Sequence, residues 1–110
     1  MSVIYKDNVH PEWVDYNEHM TDASYAHVFS ISVDAFMDKI GIDEQFRETE
    51  KYSIYTLETH LVYLNEMLEN QPFFVRMQLL DYSDKLIHIF FTMENEEGVR
   101  FATSEQMLMG

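Results

Sequence analysis

The stretch WVDYNEHMTDASY, residues 13–25, decides how this sequence folds and where its chemistry lies. It holds the only tryptophan of the chain, and it places an aspartate, Asp15, four residues before a histidine, His19. Thr21 or Asp22 follows, and a side-chain oxygen of either residue can accept a hydrogen bond from a free N–H group in a helix's first turn. The stretch therefore predicts an ordered loop that presents reactive side chains at the start of a helix.

A long helix is predicted directly after this loop, from Ala23 to Ile40, because large apolar side chains recur there at helical spacing. The residues with this spacing are Tyr25, Phe29, Val33, Phe36 and Ile40. Their stripe is wide, so much of the helix is expected to be buried. Gly41 suits the position after the last turn, where a left-handed conformation ends many helices. The charged segment 43–51 is predicted as either a short second helix or a loop.

Most of the remaining chain is predicted to form strands. Residues 4–9 can make a short first strand, and from Tyr52 the sequence pattern changes to a period of two, which is typical of a long strand. One face of that strand would carry Ser53, Tyr55, Leu57, Thr59, Leu61 and Tyr63, and the other Ile54, Thr56, Glu58, His60, Val62 and Leu64. Three further strands are expected over residues 73–81, 86–93 and 99–109.

This order of elements predicts an α+β fold. Strands joined by tight turns form an antiparallel sheet, and an apolar helix must bury its face against that sheet. We therefore expect one two-layer domain spanning residues 1–110, with the last three strands arranged as a meander.

Composition restricts the classes of function. The 110 residues carry a formal net charge of −13 and only seven Lys and Arg residues, which argues against nucleic-acid binding. A field of this sign attracts cationic ligands. The chain has no cysteine, so disulfides and thiol catalysis are excluded. We find no signal peptide or membrane-spanning segment in the sequence, so a cytoplasmic protein without a membrane partner is expected.

The aspartate-containing loop before a long helix resembles the hotdog-fold acyl-CoA thioesterases of the 4-hydroxybenzoyl-CoA thioesterase type. Their hallmark is an Asp, then Gly-His and an Asn or similar residue, and then a Tyr a few positions into the helix. The matching positions here are Asp15, Glu18, His19, Thr21 and Tyr25. Glu18 stands where the family usually has glycine, a difference that matters if the backbone there needs a positive φ.

Further stretches are similar to the betainyl-CoA thioesterases of carnitine catabolism, which act on the thioester of a trimethylammonium acid. They are WVDYN (13–17), YTLETH (55–60), QLL (78–80) and ATSEQML (102–108). The similarity covers nearly the whole chain. Relatives usually continue past the last strand, whereas this sequence ends at Met109-Gly110, earlier than they do.

The resemblance implies a catalytic site in the loop. Asp15 would act as nucleophile or general base in thioester hydrolysis, and His19 would orient the substrate. Backbone N–H groups of Asp22, Ala23 and Ser24 would form the oxyanion site. The alternative is that Asp15 only braces a turn, as loop aspartates commonly do, and that His19 is structural.

Other residues are candidates for substrate binding. Trp13, Tyr16 and Tyr25 could surround a quaternary ammonium group, although all three could instead pack in the core. Asn17 could contact the substrate or hold the loop. Glu58 would be a second acidic group in the pocket if its strand face meets the helix, and a surface residue if that face is solvated.

The sequence therefore predicts hydrolysis of a short acyl-CoA thioester, without a cofactor and without a metal site. The alternative is a non-catalytic hotdog module that binds a small cationic or apolar ligand. CoA phosphates normally need Arg or Lys partners, and the acidic composition conflicts with that need. A homodimer or a dimer of dimers is expected, because a small sheet leaves its edges exposed.

Overall fold

The computed structural model describes residues 2–51 and 54–110, so the predicted start of the long strand at Tyr52 and Ser53 lies outside the described residues. The elements are β1 (Ser2–Asn8), α1 (Asp22–Lys39), α2 (Glu44–Glu50), β2 (Tyr55–Tyr63), β3 (Pro72–Tyr82), β4 (Leu86–Glu94) and β5 (Arg100–Met109). A short 3-10 turn, Pro11–Trp13, follows β1. The strands form one antiparallel sheet in the order β1-β3-β4-β5-β2. The predicted α+β architecture and the β3-β4-β5 meander are confirmed.

Helix α1 begins and ends at the residues whose chemistry predicts it. Thr21 is the N-cap, and its side-chain oxygen accepts a hydrogen bond from the N–H of Ser24 at 3.3 Å. At the other end Gly41 has φ +90°, and the N–H of Ile42 reaches back to the carbonyl of Met37 at 2.8 Å. This is a Schellman ending, which satisfies carbonyls that the last turn would otherwise leave free.

The core lies between α1 and one face of the sheet, here called the inner face. The rings of Phe29 on α1 and Phe91 on β4 stack with centroids 5.9 Å apart, and both residues are fully buried. Ile89 and Met93 flank Phe91 on the same face and are also fully buried. Burial of this apolar surface is the main stabilising contribution to the two-layer arrangement.

Strand β2 corrects one sequence prediction. A bulge interrupts its pairing with β5 between Thr56 and Glu58, so the alternation changes phase there. Thr56 therefore lies with Leu61 on the inner face, beside α1. Tyr55 was expected on the face of Leu61 and lies on the opposite, outer face. The sequence period alone does not reveal the extra residue, because bulges arise from pairing with a distant strand.

The charged segment after α1 forms the second helix, α2. Asp43 caps it, since its carboxylate accepts a hydrogen bond from the N–H of Phe46 at 2.8 Å. In the two described ranges, neither α1 nor α2 has the length and hydropathy that crossing a bilayer requires.

Candidate active site

A tight turn that begins at Asp15 is the first part of the candidate site. The carbonyl of Asp15 accepts a hydrogen bond from the N–H of Glu18 at 2.9 Å, and the N–H of Asp15 donates to the carbonyl of His19 at 2.9 Å. The carboxylate oxygen Oδ1 also accepts hydrogen bonds, from the N–H of Asn17 at 2.8 Å and from the N–H of His19 at 3.3 Å. The side chain therefore closes the turn in the manner of an Asx turn.

Glu18 occupies the position in this turn that demands an unusual backbone conformation. Its φ is +64°, in the left-handed region that glycine adopts readily. The left-handed conformation costs a residue with a side chain roughly 1–2 kcal/mol. The turn therefore keeps the geometry that a glycine would allow, at the expense of local strain.

The carboxylate of Asp15 remains available for chemistry. Its residue is exposed, and its second oxygen, Oδ2, has no hydrogen-bond partner among the residues that the structure describes. One oxygen is thus held by the backbone while the other faces solvent. This arrangement fixes the orientation of the carboxylate and leaves one atom free to attack a carbonyl or to accept a proton.

The segment between β2 and β3 holds the turn in place. The N–H of Met20 donates to the carbonyl of Met67 at 2.8 Å, and His19 forms an isolated bridge with Leu68. Met67 is fully buried. The sequence pattern predicts only a polar break over residues 65–71, because a single buried methionine has no periodic signal. The structure shows that this segment packs against the turn and is hydrogen-bonded to it.

A cleft of about 350 Å³ opens beside the N-terminus of α1. The polar and aromatic side chains that line it belong to His19, Asp22, Tyr25, Tyr63, Asn65 and Glu66. The sequence identifies the first three as site candidates, while the last three come from the end of β2 and the segment after it. They were missed because only the sheet topology brings the end of β2 to the start of α1.

Tyr25 is the buried wall of this cleft. Its hydroxyl donates a hydrogen bond to the carbonyl of Asn65 at 3.2 Å, and its ring meets that of Tyr63 edge-on with centroids 5.4 Å apart. Burial raises the pKa of Tyr25; the backbone N–H of Met67 opposes this effect, and the negative charge of Glu66 adds to it. The phenol is therefore a neutral hydrogen-bond donor at ordinary pH.

The N–H groups that begin α1 differ in availability. The N–H of Ser24 is engaged by the Thr21 cap, and the N–H of Ala23 contacts the carboxylate of Asp22 at 2.9 Å. Within residues 2–51 and 54–110, the N–H of Asp22 itself has no hydrogen-bond partner. The helix dipole favours negative charge at this end, so the Asp22 N–H is the donor best placed to receive an anionic oxygen.

The three aromatic candidates are not brought together. Trp13 is buried in the core, where its ring stacks on His10 with centroids 4.0 Å apart and meets His27 edge-on at 6.0 Å. Tyr16 is 94% exposed. Only Tyr25 lines the cleft. Asn17 is exposed and contributes its N–H to the Asp15 turn.

Glu58 lies on the outer face of β2, which points away from α1. It is exposed, and it shares a shallow surface depression with His60, His88 and Glu105. His88 pairs with Glu105 at 2.7 Å, across the β4-β5 ladder. Of the two alternatives for Glu58, the structure therefore shows the second: its face of β2 is solvated and does not meet α1. In the part of the chain that the structure describes, no three His, Asp or Glu side chains are grouped closely enough to hold a metal ion.

Comparisons with known proteins agree with this architecture. The family model of the thioesterase-like superfamily matches residues 9–110, and the chain belongs to that superfamily. A betainyl-CoA thioesterase of Pseudomonas aeruginosa is 45% identical over 106 residues, which make up 96% of this chain and 67% of the relative. An L-carnitine dehydrogenase/betainyl-CoA thioesterase of Agrobacterium fabrum is 37% identical over 106 residues, but the chain spans only 22% of its length.

A solved structure provides the corresponding likeness in three dimensions. It is a Staphylococcus aureus protein in complex with CoA, 35% identical, with a TM-score of 0.93 over 98% of this chain and 69% of that one. The predicted hotdog fold is confirmed, and so is the predicted class, a thioesterase related to the betainyl-CoA thioesterases.

Proposed function

We propose that this chain hydrolyses betainyl-CoA, the CoA thioester of a trimethylammonium acid, at the cleft beside the N-terminus of α1. The observation that carries the proposal is the 45% identity over 106 residues with a protein named betainyl-CoA thioesterase. Two features of the geometry support the proposal: the free carboxylate oxygen of Asp15, and the cleft of about 350 Å³. Asp15 does not itself line the cleft; its turn adjoins the cleft through His19, whose N–H donates to the Asp15 carboxylate.

In the proposed reaction the Oδ2 atom of Asp15 acts in one of two ways. As a nucleophile it attacks the thioester carbonyl, the C–S bond breaks, CoA leaves as a thiolate, and water then hydrolyses the acyl-aspartyl anhydride. As a general base it takes a proton from a water molecule that attacks the same carbonyl directly. In both routes the hydrogen bonds to Oδ1 keep the carboxylate oriented.

Negative charge develops on the carbonyl oxygen in either route. We propose that the N–H of Asp22 stabilises this oxygen together with the N–H of Ala23, which becomes available when the Asp22 side chain rotates away. The N–H of Ser24 supports the same helix terminus through its hydrogen bond to the cap. His19 and Tyr25 line the cleft and orient the substrate.

Three sequence candidates have no part in this proposal. Trp13 is buried in the core, Tyr16 projects into solvent, and Glu58 lies on the face of the sheet that points away from α1. Asn17 remains in the proposal because it adjoins the carboxylate of Asp15.

We also propose that the chain assembles as a homodimer through β2, with a dimer of dimers as the next level. Strand β2 is an edge of the sheet, since its other side pairs with no strand of the described residues. It and the residue after it expose the apolar side chains of Tyr55, Leu57, Val62 and Leu64. Such an edge favours pairing with another chain. Light scattering at micromolar concentration should give twice the mass of the chain, and a monomer mass would contradict this proposal.

The direct test of the activity is release of free CoA from a panel of thioesters. Betainyl-CoA, acetyl-CoA and benzoyl-CoA are incubated with the folded protein, and the liberated thiol is measured against heat-denatured protein. We expect the fastest turnover with betainyl-CoA. Absence of CoA release from every thioester would contradict the proposal. Binding of free betaine by the same inactive protein would instead favour a non-catalytic binding module.

A further inference from the structure

We propose that Tyr63 and Glu66 select a cationic acyl group, and that they do so from the wall of the cleft opposite α1. The inference rests on the proposed hydrolysis, because it assigns the acyl-group preference of that reaction to particular side chains. Neither residue stands out in the sequence, since Tyr63 ends a strand of mixed composition and Glu66 lies in a polar connection.

The two walls of the cleft differ in their electrostatic preference. Once the Asp22 carboxylate has rotated away, as the proposed reaction requires, the α1 wall presents the N–H of Asp22 and the positive end of the helix dipole, which favour a negatively charged carbonyl oxygen. The opposite wall presents the ring of Tyr63 and the carboxylate of Glu66. Aromatic faces and carboxylates both favour positive charge. One cleft can therefore hold a carbonyl and a cation side by side.

The ring of Tyr63 is both accessible and supported. The residue is 51% exposed, so part of its ring is free to contact a ligand. Its neighbour Tyr25 is 4% exposed and is anchored by the hydrogen bond to the carbonyl of Asn65. Contact with this fixed ring limits the orientations open to Tyr63, and a restricted aromatic ring is a better cation site than a mobile one.

The charges around the cleft agree with a cationic ligand. Asp22 and Glu66 line it, and no Lys or Arg does so among the described residues. His19 Nε2 lies 3.7 Å from a carboxylate oxygen of Glu66. The charge of Glu66 also contributes to the raised pKa of Tyr25, which places its effect at the aromatic pair. An anionic acyl group would therefore be repelled at this wall.

The chemistry of betainyl-CoA matches this arrangement. A single methylene group separates its quaternary nitrogen from the thioester carbonyl, so the cation and the reacting carbonyl must bind within the same small space. A quaternary ammonium group cannot donate a hydrogen bond, so recognition depends on aromatic faces and on nearby negative charge. Tyr63 and Glu66 provide one of each.

The test compares two thioesters of nearly equal shape. The first is betainyl-CoA, and the second is 3,3-dimethylbutyryl-CoA, in which carbon replaces the charged nitrogen. The readout is the ratio of their kcat/KM values. We expect Tyr63→Leu to lower the preference for the cation by about tenfold, and Glu66→Gln by about threefold, because an exposed charge is screened. Tyr63→Phe keeps the ring and should retain most of the preference.

Two control variants make the same substitutions, tyrosine to leucine and glutamate to glutamine, at exposed positions outside the cleft. Tyr82→Leu replaces an exposed tyrosine of β3, and Glu48→Gln neutralises an exposed carboxylate of α2. Both controls should leave the ratio unchanged. An unchanged ratio in Tyr63→Leu and Glu66→Gln, with both thioesters still hydrolysed, would overturn the inference alone. Hydrolysis of neither thioester by the folded wild-type protein would overturn the proposed function and this inference with it.

Discussion

Asp7 and Asp15 are two aspartates eight residues apart, and their surroundings differ in almost every respect. The carboxylate of Asp7 accepts hydrogen bonds from the hydroxyl of Tyr5 at 2.5 Å and from the N–H of Asn8 at 2.7 Å, and it pairs with His10 Nε2 at 2.8 Å. Asp15 is exposed, and only one of its oxygens has partners in the described chain.

The pKa of Asp7 reflects the full set of partners. Partial burial alone would raise this pKa, but the hydrogen bonds from Tyr5 and Asn8 and the nearby charge of His10 outweigh that effect, so the pKa falls below its ordinary value of 3.8. Both oxygens of this carboxylate are held by partners within the folded chain, and the residue does not line the cleft beside α1. The comparison supports a structural role for Asp7 and agrees with the reactive role that we propose for Asp15.

The largest expected effect is that of Asp15→Ala. Loss of the carboxylate should lower kcat/KM for betainyl-CoA by about a thousandfold, equivalent to about 4 kcal/mol of transition-state stabilisation. The variant should also lose about 1 kcal/mol in the free energy of unfolding, because the N–H groups of Asn17 and His19 lose their acceptor. Thiol release and urea unfolding measure the two effects. Undiminished hydrolysis would place Asp15 in the same structural role as Asp7.

The second prediction is the converse for Asp7→Ala. The variant leaves the Tyr5 hydroxyl and the Nε2 atom of His10 without their acceptor, so the free energy of unfolding should fall by about 2 kcal/mol. Once folded, the protein should hydrolyse betainyl-CoA at close to the wild-type kcat. Asp84→Ala, at an exposed turn position, is the control for loss of one negative charge. A large loss of kcat with unchanged stability would reverse the roles assigned to the two aspartates.

The third prediction concerns backbone strain. Glu18, in the Asp15 turn, has a positive φ, whereas Asp7 lies in a strand without one. Glu18→Gly should raise the free energy of unfolding by about 0.5–1 kcal/mol, because glycine adopts φ +64° without a steric penalty but gains more entropy on unfolding. Glu18→Ala removes the same charge and keeps the steric penalty, so it should give no such gain. Equal stabilisation in the two variants would attribute the effect to charge and would contradict the strain argument.

The smallest expected effect is the pH dependence of the Asp7 contribution. Its folded-state pKa is lowered, so the stabilisation is fully present above the unfolded pKa near 3.8 and is lost as the pH falls through the folded value. The stability difference between wild type and Asp7→Ala should therefore be full at pH 7 and shrink below pH 3.8. Urea midpoints at several pH values test this, and a difference that grows on acidification would contradict it.

Local features of the sequence predict the helix and the position of the loop well. Thr21 and Gly41 act on their own neighbours, so the ends of α1 follow from short-range hydrogen bonding and allowed backbone angles. The same applies to Asp43 at the start of α2. Resemblance to known thioesterases then connects the loop to a reaction, which the residues alone would not have specified.

Features that depend on distant pairing were harder to predict. The bulge after Thr56 changes which side chains of β2 face α1, and no residue near it in the sequence predicts the bulge. Tyr63 and Glu66 reach the start of α1 only because β2 pairs with β5 at the edge of the sheet. Trp13 was a candidate for ligand binding because it lies near Asp15 in sequence, yet its ring is directed into the core.

The measurement that tests the central claim most directly is release of CoA from betainyl-CoA by Asp15→Asn. Asparagine retains an oxygen that can accept the N–H bonds of Asn17 and His19, so the turn should persist, but the amide can neither attack the thioester effectively nor accept a proton. Asp81 on β3 also accepts a backbone N–H, from Tyr82, through its carboxylate, so Asp81→Asn is the matched control. We predict an unchanged melting temperature in both variants and loss of CoA release in Asp15→Asn alone. CoA release by Asp15→Asn at the wild-type rate would contradict the account.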